Sequence, residues 1–272
     1  MLKSFTNYIY YLSPKLFRLL LGPILLFLTV KILSIEDFGR YSYWLAFFSL
    51  IYPISNLGIK DYLIKRFSRA QAKGQYLNYL SSIMQLNLIY LLISFFIFIN
   101  IDNELDIYIK IILIFSLLGN SAIIGQAILE ANNESYLNAK VLTFTLFLSF
   151  FIRLFFLLTK NPTLFILSHA FEPLIFFGLM QKYNPHFNFR LKEAFKFSRK
   201  YFIHFSKISF PLILSTLMVN IYMRADQLMI ANILDYSELG KFSIAVRLVE
   251  LSYIFGIAYT AATFPKLSSL YI

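Results

Sequence analysis

Apolar residues run along this chain in long blocks broken by short polar stretches, and block length decides the element type. A helix that crosses a bilayer needs roughly 20 mostly apolar residues. Stretches of about that length lie at Leu12–Leu33, Tyr41–Ile59, Leu77–Ile101, Ile107–Leu129, Val141–Leu158, Thr163–Met180, Ile208–Leu234 and Ser243–Leu267. They predict eight transmembrane helices. Alternation of period two is not sustained at strand length, which argues against a membrane barrel. The amino-terminal block carries Lys3 but no small-x-small cleavage site. Its apolar run continues to Leu33, so it reads as a first span and not a removable signal.

The polar breaks set the direction. Lys60–Gln75 carries Lys60, Lys65, Arg66, Arg69 and Lys73 against one acid, Asp61. Gln181–Lys207 carries seven Lys and Arg against Glu193 alone. Asp102–Asp106 holds three acids and no base, and Thr159–Pro162 has only Lys160. Basic loops stay on the cytoplasmic side, so both termini are expected inside, with the near-neutral Glu130–Lys140 placed by parity. The basic stretch Phe189–Phe205 interleaves Phe189, Leu191, Phe195, Phe197 and Phe202 with bases, as a helix lying on the inner leaflet would.

Composition agrees and excludes other classes. Apolar types make up 58% of the 272 residues, aromatics 19% and charged residues 14%, against roughly 25% charged in a soluble domain. That excludes a soluble enzyme, a disordered tail and a coiled coil. The formal charge of +11 points to the anionic face of a bilayer and not to nucleic acid. Cysteine is absent, so thiol chemistry is excluded. His169, His186 and His204 lack the spacing of a metal set, and no phosphate-cradling glycine pattern appears. No cofactor or metal is expected, and short outward loops leave no room for a catalytic domain. The chain is therefore not expected to be an enzyme.

An internal repeat follows the first and seventh spans. Ile32-Leu33-Ser34-Ile35-Glu36-Asp37-Phe38-Gly39-Arg40-Tyr41-Ser42 matches Ile233-Leu234-Asp235-Tyr236-Ser237-Glu238-Leu239-Gly240-Lys241-Phe242-Ser243 at a separation of 201 positions. Each has an acid, an apolar residue, Gly, a base, an aromatic and Ser, in that order. Each copy sits at the outer end of a predicted hairpin. A parallel duplication of a six-helix unit accounts for this. The expected divisions are a first six-helix bundle over 1–182, a basic amphipathic linker over 183–207, and the first hairpin of a second bundle over 208–272. Each Gly permits a positive-φ turn or a close helix approach, and the acid before it can cap the next helix.

At these residues the chain resembles the polysaccharide-exporter branch of the MATE-like flippase superfamily, the Wzx-type O-antigen and capsule flippases. Leu33-Ser34-Ile35-Glu36-Asp37-Phe38-Gly39-Arg40-Tyr41 and Asn56-Leu57-Gly58 carry the first part. Ile221-Tyr222-Met223-Arg224-Ala225-Asp226-Gln227, Glu238-Leu239-Gly240-Lys241-Phe242-Ser243 and Phe264-Pro265-Lys266-Leu267-Ser268 carry the second. The resemblance covers essentially the whole chain. It implies two bundles around a central cavity and the transfer of undecaprenyl-diphosphate-linked oligosaccharide (an O-antigen or capsule repeat unit) across the bacterial inner membrane. Against that plan the chain ends soon after its eighth span, so a fragment of a longer flippase is expected. A cation-coupled drug or small-molecule antiporter of the same superfamily is the alternative, as is a fragment without function.

Ionisable groups at membrane depth are costly and face a cavity or one another. Arg18 and Arg153 stand near span ends and suit either headgroups or a cavity. His169 and Glu172, three apart, share a helix face ahead of a kink at Pro173, as a hydrogen-bonded pair, a protonatable switch or a sugar contact. Asp226 and Glu250 lie about 18 Å along their helices from the turn near Glu238, with Arg224 and Arg247 at similar depth. The four can cross-pair to lock the hairpin. They can also line the cavity, with arginine forks for a diphosphate and an acid for a coupling cation, H+ or Na+. Arg18, Arg153, Arg224 and Arg247 are thus the candidate cargo-binding residues. Glu172, Asp226, Glu250 and His169 are the candidate coupling or structural groups. Lys31 and Lys110, near span ends, are expected to snorkel to the interface.

Overall fold

Every regular element among residues 2–68, 76–101, 105–187 and 199–250, which this computed structural model describes, is a helix. The order is α1 (Leu2–Ile32), α2 (Ile35–Asn56), α3 (Lys60–Phe67) and α4 (Tyr76–Ile101). Then α5 (Ile107–Ser116) runs through a 3₁₀ turn, Leu117–Ala122, into α6 (Ile123–Ala131). After α7 (Ser135–Leu158), α8 (Pro162–Leu167) passes through a second 3₁₀ turn, Ser168–Ala170, into α9 (Phe171–Tyr183). The long α10 (Arg199–Ile233) is followed by α11 over 236–250. The stretches Ile107–Ala131, Ser135–Leu158, Pro162–Tyr183 and Arg199–Ile233 are each long and apolar enough to cross a bilayer.

The two repeat copies start their helices alike. The Ser34 hydroxyl accepts from the Asp37 amide at 3.0 Å, and the Asp235 carboxylate accepts from the Glu238 amide at 2.8 Å. Ser34 and Asp235 are corresponding positions. The acids one residue before each glycine's apolar neighbour are therefore third-position partners, and the caps lie three residues earlier. Neither repeat glycine adopts a left-handed turn; among the described residues that conformation falls at Leu57, Gly58, Asn133 and Lys160, with φ of 53°, 61°, 58° and 56°.

Gly39 and Gly240 instead let the two copies cross backbone to backbone. A Cβ on Gly39 would overlap the Tyr236 carbonyl oxygen, and one on Gly240 would overlap the Ile35 carbonyl oxygen. Ile35 and Tyr236 each lie four residues before their glycine, so the contact is reciprocal. Phe38 and Leu239, and Ser42 and Ser243, are buried beside it. The Arg40 guanidinium lies over the Tyr236 ring at 5.1 Å. In lipid, helices associate through such close packing of small residues, because the tails are as apolar as Leu.

A second close crossing joins the two interrupted spans. A Cβ on Gly119 would strike the Pro173 carbonyl. Pro173 has no N–H to give to the carbonyl of residue 169, and the 3₁₀ turn lies there. The span is interrupted by that turn, Ser168–Ala170, which contains His169.

Two elements depart from expectation. The basic loop after α2 contains α3, whose Leu63 and Phe67 are buried while Asp61 and Lys65 stay exposed. And α10 begins at Arg199, well before the expected span. Its Phe205 is fully buried, with Tyr79 at 5.2 Å and Tyr62 at 6.2 Å between ring centroids, and His204 Nε2 lies 2.7 Å from the Tyr62 hydroxyl. Aromatic packing on α3 and α4 thus draws this end of the expected surface helix into the protein core. The rest of that stretch over 189–198, Arg69, Lys73, Asp102, Glu104 and residues 251–272 lie outside the described residues. Lys110 is buried at 4% exposure and does not reach out to the interface as expected.

The core is in two parts. One gathers Leu57, Leu63, Tyr79, Phe187 and Phe205 at the end where α1 begins and α2 finishes. The other gathers Leu33, Phe38, Trp44, Phe165 and Leu239 at the glycine crossing. Between them the helices part.

Candidate functional site

A cavity of about 660 Å³ lies between these cores, walled by α1, α2, α6, α7 and α9, with Asn220 of α10 on one side. That is within the range of ligand sites, about 300–1,000 Å³. Its residues run from Pro14 and Asn56 at one end to Leu45, Arg153 and His169 deeper in. The glycine crossing lies beyond that deep end.

Polar groups line the wall at helical spacing. Ser49, Tyr52 and Asn56 recur along α2, and Thr145, Ser149 and Arg153 along α7. The Asn120 amide donates to the Ser55 hydroxyl at 2.8 Å, tying the first 3₁₀ turn to α2. Thr145 donates back to the Val141 carbonyl at 2.8 Å, which satisfies its hydroxyl within the helix. Among these neutral residues only Asn56 enters the sequence reading, as part of Asn56-Leu57-Gly58 and not as a site residue. The i, i+3, i+4 recurrence of Ser, Thr, Asn and Tyr in otherwise apolar blocks is the signal that marks them.

The charged residues converge on Glu172. Arg18 Nη2 donates to its Oε1 at 2.6 Å and Arg153 Nη2 to its Oε2 at 2.5 Å. Glu172 and Arg153 are about four-fifths buried, at 22% and 20% exposure, while Arg18 is 67% exposed. Arg18 sits some 14 residues, about 21 Å, from the α1 terminus nearest the crossing, and Arg153 only five residues, about 8 Å, from its own. The long side chains close that difference from opposite directions, so Arg153 turns inward and does not reach for headgroups. Charge-assisted pairs of this kind have to offset the desolvation of three ions. Lys15 adds a further positive group, and Glu172 is the only acid among the described lining residues.

His169 does not pair with Glu172. Its Nε2 lies 3.3 Å from the Tyr41 hydroxyl and its ring packs against those of Tyr41 and Phe165, while both Glu172 oxygens are taken by arginines. Tyr41 belongs to the first repeat copy, so the motif supplies a partner to the cavity wall.

The expected quartet in the α10–α11 hairpin is a trio. Glu250 forms an ion pair with Arg224 at 3.3 Å across the hairpin and accepts a hydrogen bond from Arg247 at 3.1 Å along its own helix. Asp226 is exposed and accepts from the Gln227 amide at 2.8 Å. Two residues separate it from Arg224, about 200° around a helix at 3.6 residues per turn, so matching depth does not bring it to the same face. None of the trio lines the cavity, but Arg247 and Arg153 both act electrostatically on Tyr41 and His169. The remaining histidines serve the opposite end, His186 against Glu134 at 3.2 Å and His204 against Tyr62.

No group of three or more His, Cys, Asp and Glu suited to a metal occurs among the described residues.

Apolar helices around a charged internal cavity define a polytopic membrane protein. The chain belongs to the polysaccharide biosynthesis protein family, whose model matches residues 4–271. No curated protein and no solved structure matches it.

Proposed function

We propose that this protein translocates undecaprenyl-diphosphate-linked oligosaccharide, an O-antigen or capsule repeat unit, across the bacterial inner membrane by alternating access. The observation that carries the reading is the cavity itself. It places Lys15, Arg18 and Arg153 around one acid, an electropositive chamber that suits a diphosphate and repels an organic cation. That disfavours the cationic-drug antiporter.

In this reading the chain has eight spans with both termini in the cytoplasm. Residues 1–182 form the first six-helix bundle and 208–272 open the second, joined by the basic segment 183–207 on the anionic inner leaflet. The cavity then extends toward the cytoplasm, and the Gly39–Gly240 crossing closes it from outside. The head group sits at the arginines while the prenyl tail stays in lipid. An inside-negative potential favours outward movement of an anion by about 2.3 kcal/mol per charge per 100 mV, and an H+ or Na+ gradient can add to it through Asp226 or the cavity groups.

Vesicles reconstituted with the purified protein are expected to transfer a fluorescent polyprenyl-diphosphate sugar between leaflets faster than protein-free vesicles, and faster with an inside-negative potential. Equal rates with and without protein would overturn the proposal.

A further inference from the structure

The two arginines of the cavity are already occupied. Each oxygen of Glu172 takes one guanidinium donor, Arg18 at 2.6 Å and Arg153 at 2.5 Å. Carboxylate and phosphate present the same geometry to an arginine fork, so Glu172 holds the donors that a diphosphate would need. A bound diphosphate beside an unmoved carboxylate would also place like charges together around the mostly buried Arg153.

The two arginines are unequally held. Arg18 is largely exposed on α1, a helix that packs chiefly on α7. Arg153 is mostly buried, and its Nε is shut away from solvent without a hydrogen-bond partner. An unsatisfied buried donor beside a charged cavity is a group waiting for an acceptor.

We infer that Glu172 is the resident counter-ion of the cavity, neutralising Arg18 and Arg153 when it is empty and giving them up to the phosphates of the cargo. This rests on the proposed transport of a diphosphate lipid. Glu172 is then a positioning residue. Its return to the arginines competes with the cargo and drives release, so affinity is held down in exchange for turnover.

The test uses the full protein in detergent, with geranylgeranyl diphosphate as probe and geranylgeraniol as the uncharged control, read by titration calorimetry and paired with the vesicle transfer assay. Wild type binds the diphosphate and not the alcohol, and Arg153→Ala weakens that binding. Glu172→Gln keeps the side-chain volume and removes the charge. It is expected to bind the probe about tenfold tighter while transferring lipid more slowly. Glu172→Asp keeps the charge but draws it back one methylene, and is expected to tighten binding by a few-fold, which serves if the Gln variant does not fold. A merely structural ion pair, once broken, would loosen binding. Unchanged or weaker binding in the variants that fold overturns the counter-ion role. Equal binding of diphosphate and alcohol by wild type instead overturns the transport reading beneath it.

Discussion

The protein contains two arginine–glutamate–arginine trios, and they are built to opposite plans. In the cavity, Arg18, Glu172 and Arg153 come from α1, α9 and α7, with 154 and 19 residues between partners. In the hairpin, Arg247 and Glu250 are three residues apart on one helix and Arg224 lies on the neighbouring one. The first trio needs most of the bundle to be folded before it exists, and it faces open space. The second forms from a single hairpin, and none of its members is among the residues that line the cavity. Identical side-chain chemistry is thus set in different geometry: the dispersed set borders a space between its members, whereas the local set spans one turn of a hairpin.

Replacements break the comparison in a fixed order. Arg153→Ala should have the largest effect, since it leaves Glu172 with one partner in a buried setting. Surface glycan per unit of membrane protein is expected to fall about 10- to 100-fold, the worth of one or two charge-assisted hydrogen bonds. Normal glycan display would remove the cavity trio from function. Arg224→Ala and Arg247→Ala should come next. Each is expected to lower stability by about 1–2 kcal/mol in thermal unfolding while export stays within about threefold of wild type. A collapse of export at normal stability would move the hairpin trio into the transport path and erase the distinction. Asp226→Asn should do least, within about 0.5 kcal/mol and with no loss of hairpin packing. A larger change would show that Asp226 shares in the trio after all.

Much of the architecture is legible in the residues. Block length marks the helices, and for four stretches, Ile107–Ala131, Ser135–Leu158, Pro162–Tyr183 and Arg199–Ile233, the structure shows a helix long and apolar enough to cross a bilayer. The residue types of both trios are also legible, since a charge at membrane depth has few bland explanations. Pairing is not. Whether Glu172 meets His169 or two arginines depends on what tertiary packing brings to each side chain, Tyr41 and Phe165 to His169 and Arg18 and Arg153 to Glu172. Asp226 shows the same gap: depth along a helix follows from counting, azimuth only from packing. The neutral polar stripe of Ser49, Tyr52 and Asn56 was visible as a period but lacked the charge that draws notice. The burial of Phe205 depends on Tyr62 and Tyr79, more than a hundred residues away.

The glycine crossing has a mechanical meaning. Most helix interfaces are toothed: side chains mesh, and separating them requires each tooth to change rotamer on the way out. At the centre of the Gly39–Gly240 seam carbonyl oxygens meet bare Cα, with the Ile35 side chain beside Gly240. Parting and reseating such a joint would require fewer rotamer changes at its centre than at a fully meshed interface, so a tightly fitted contact need not be a slow one.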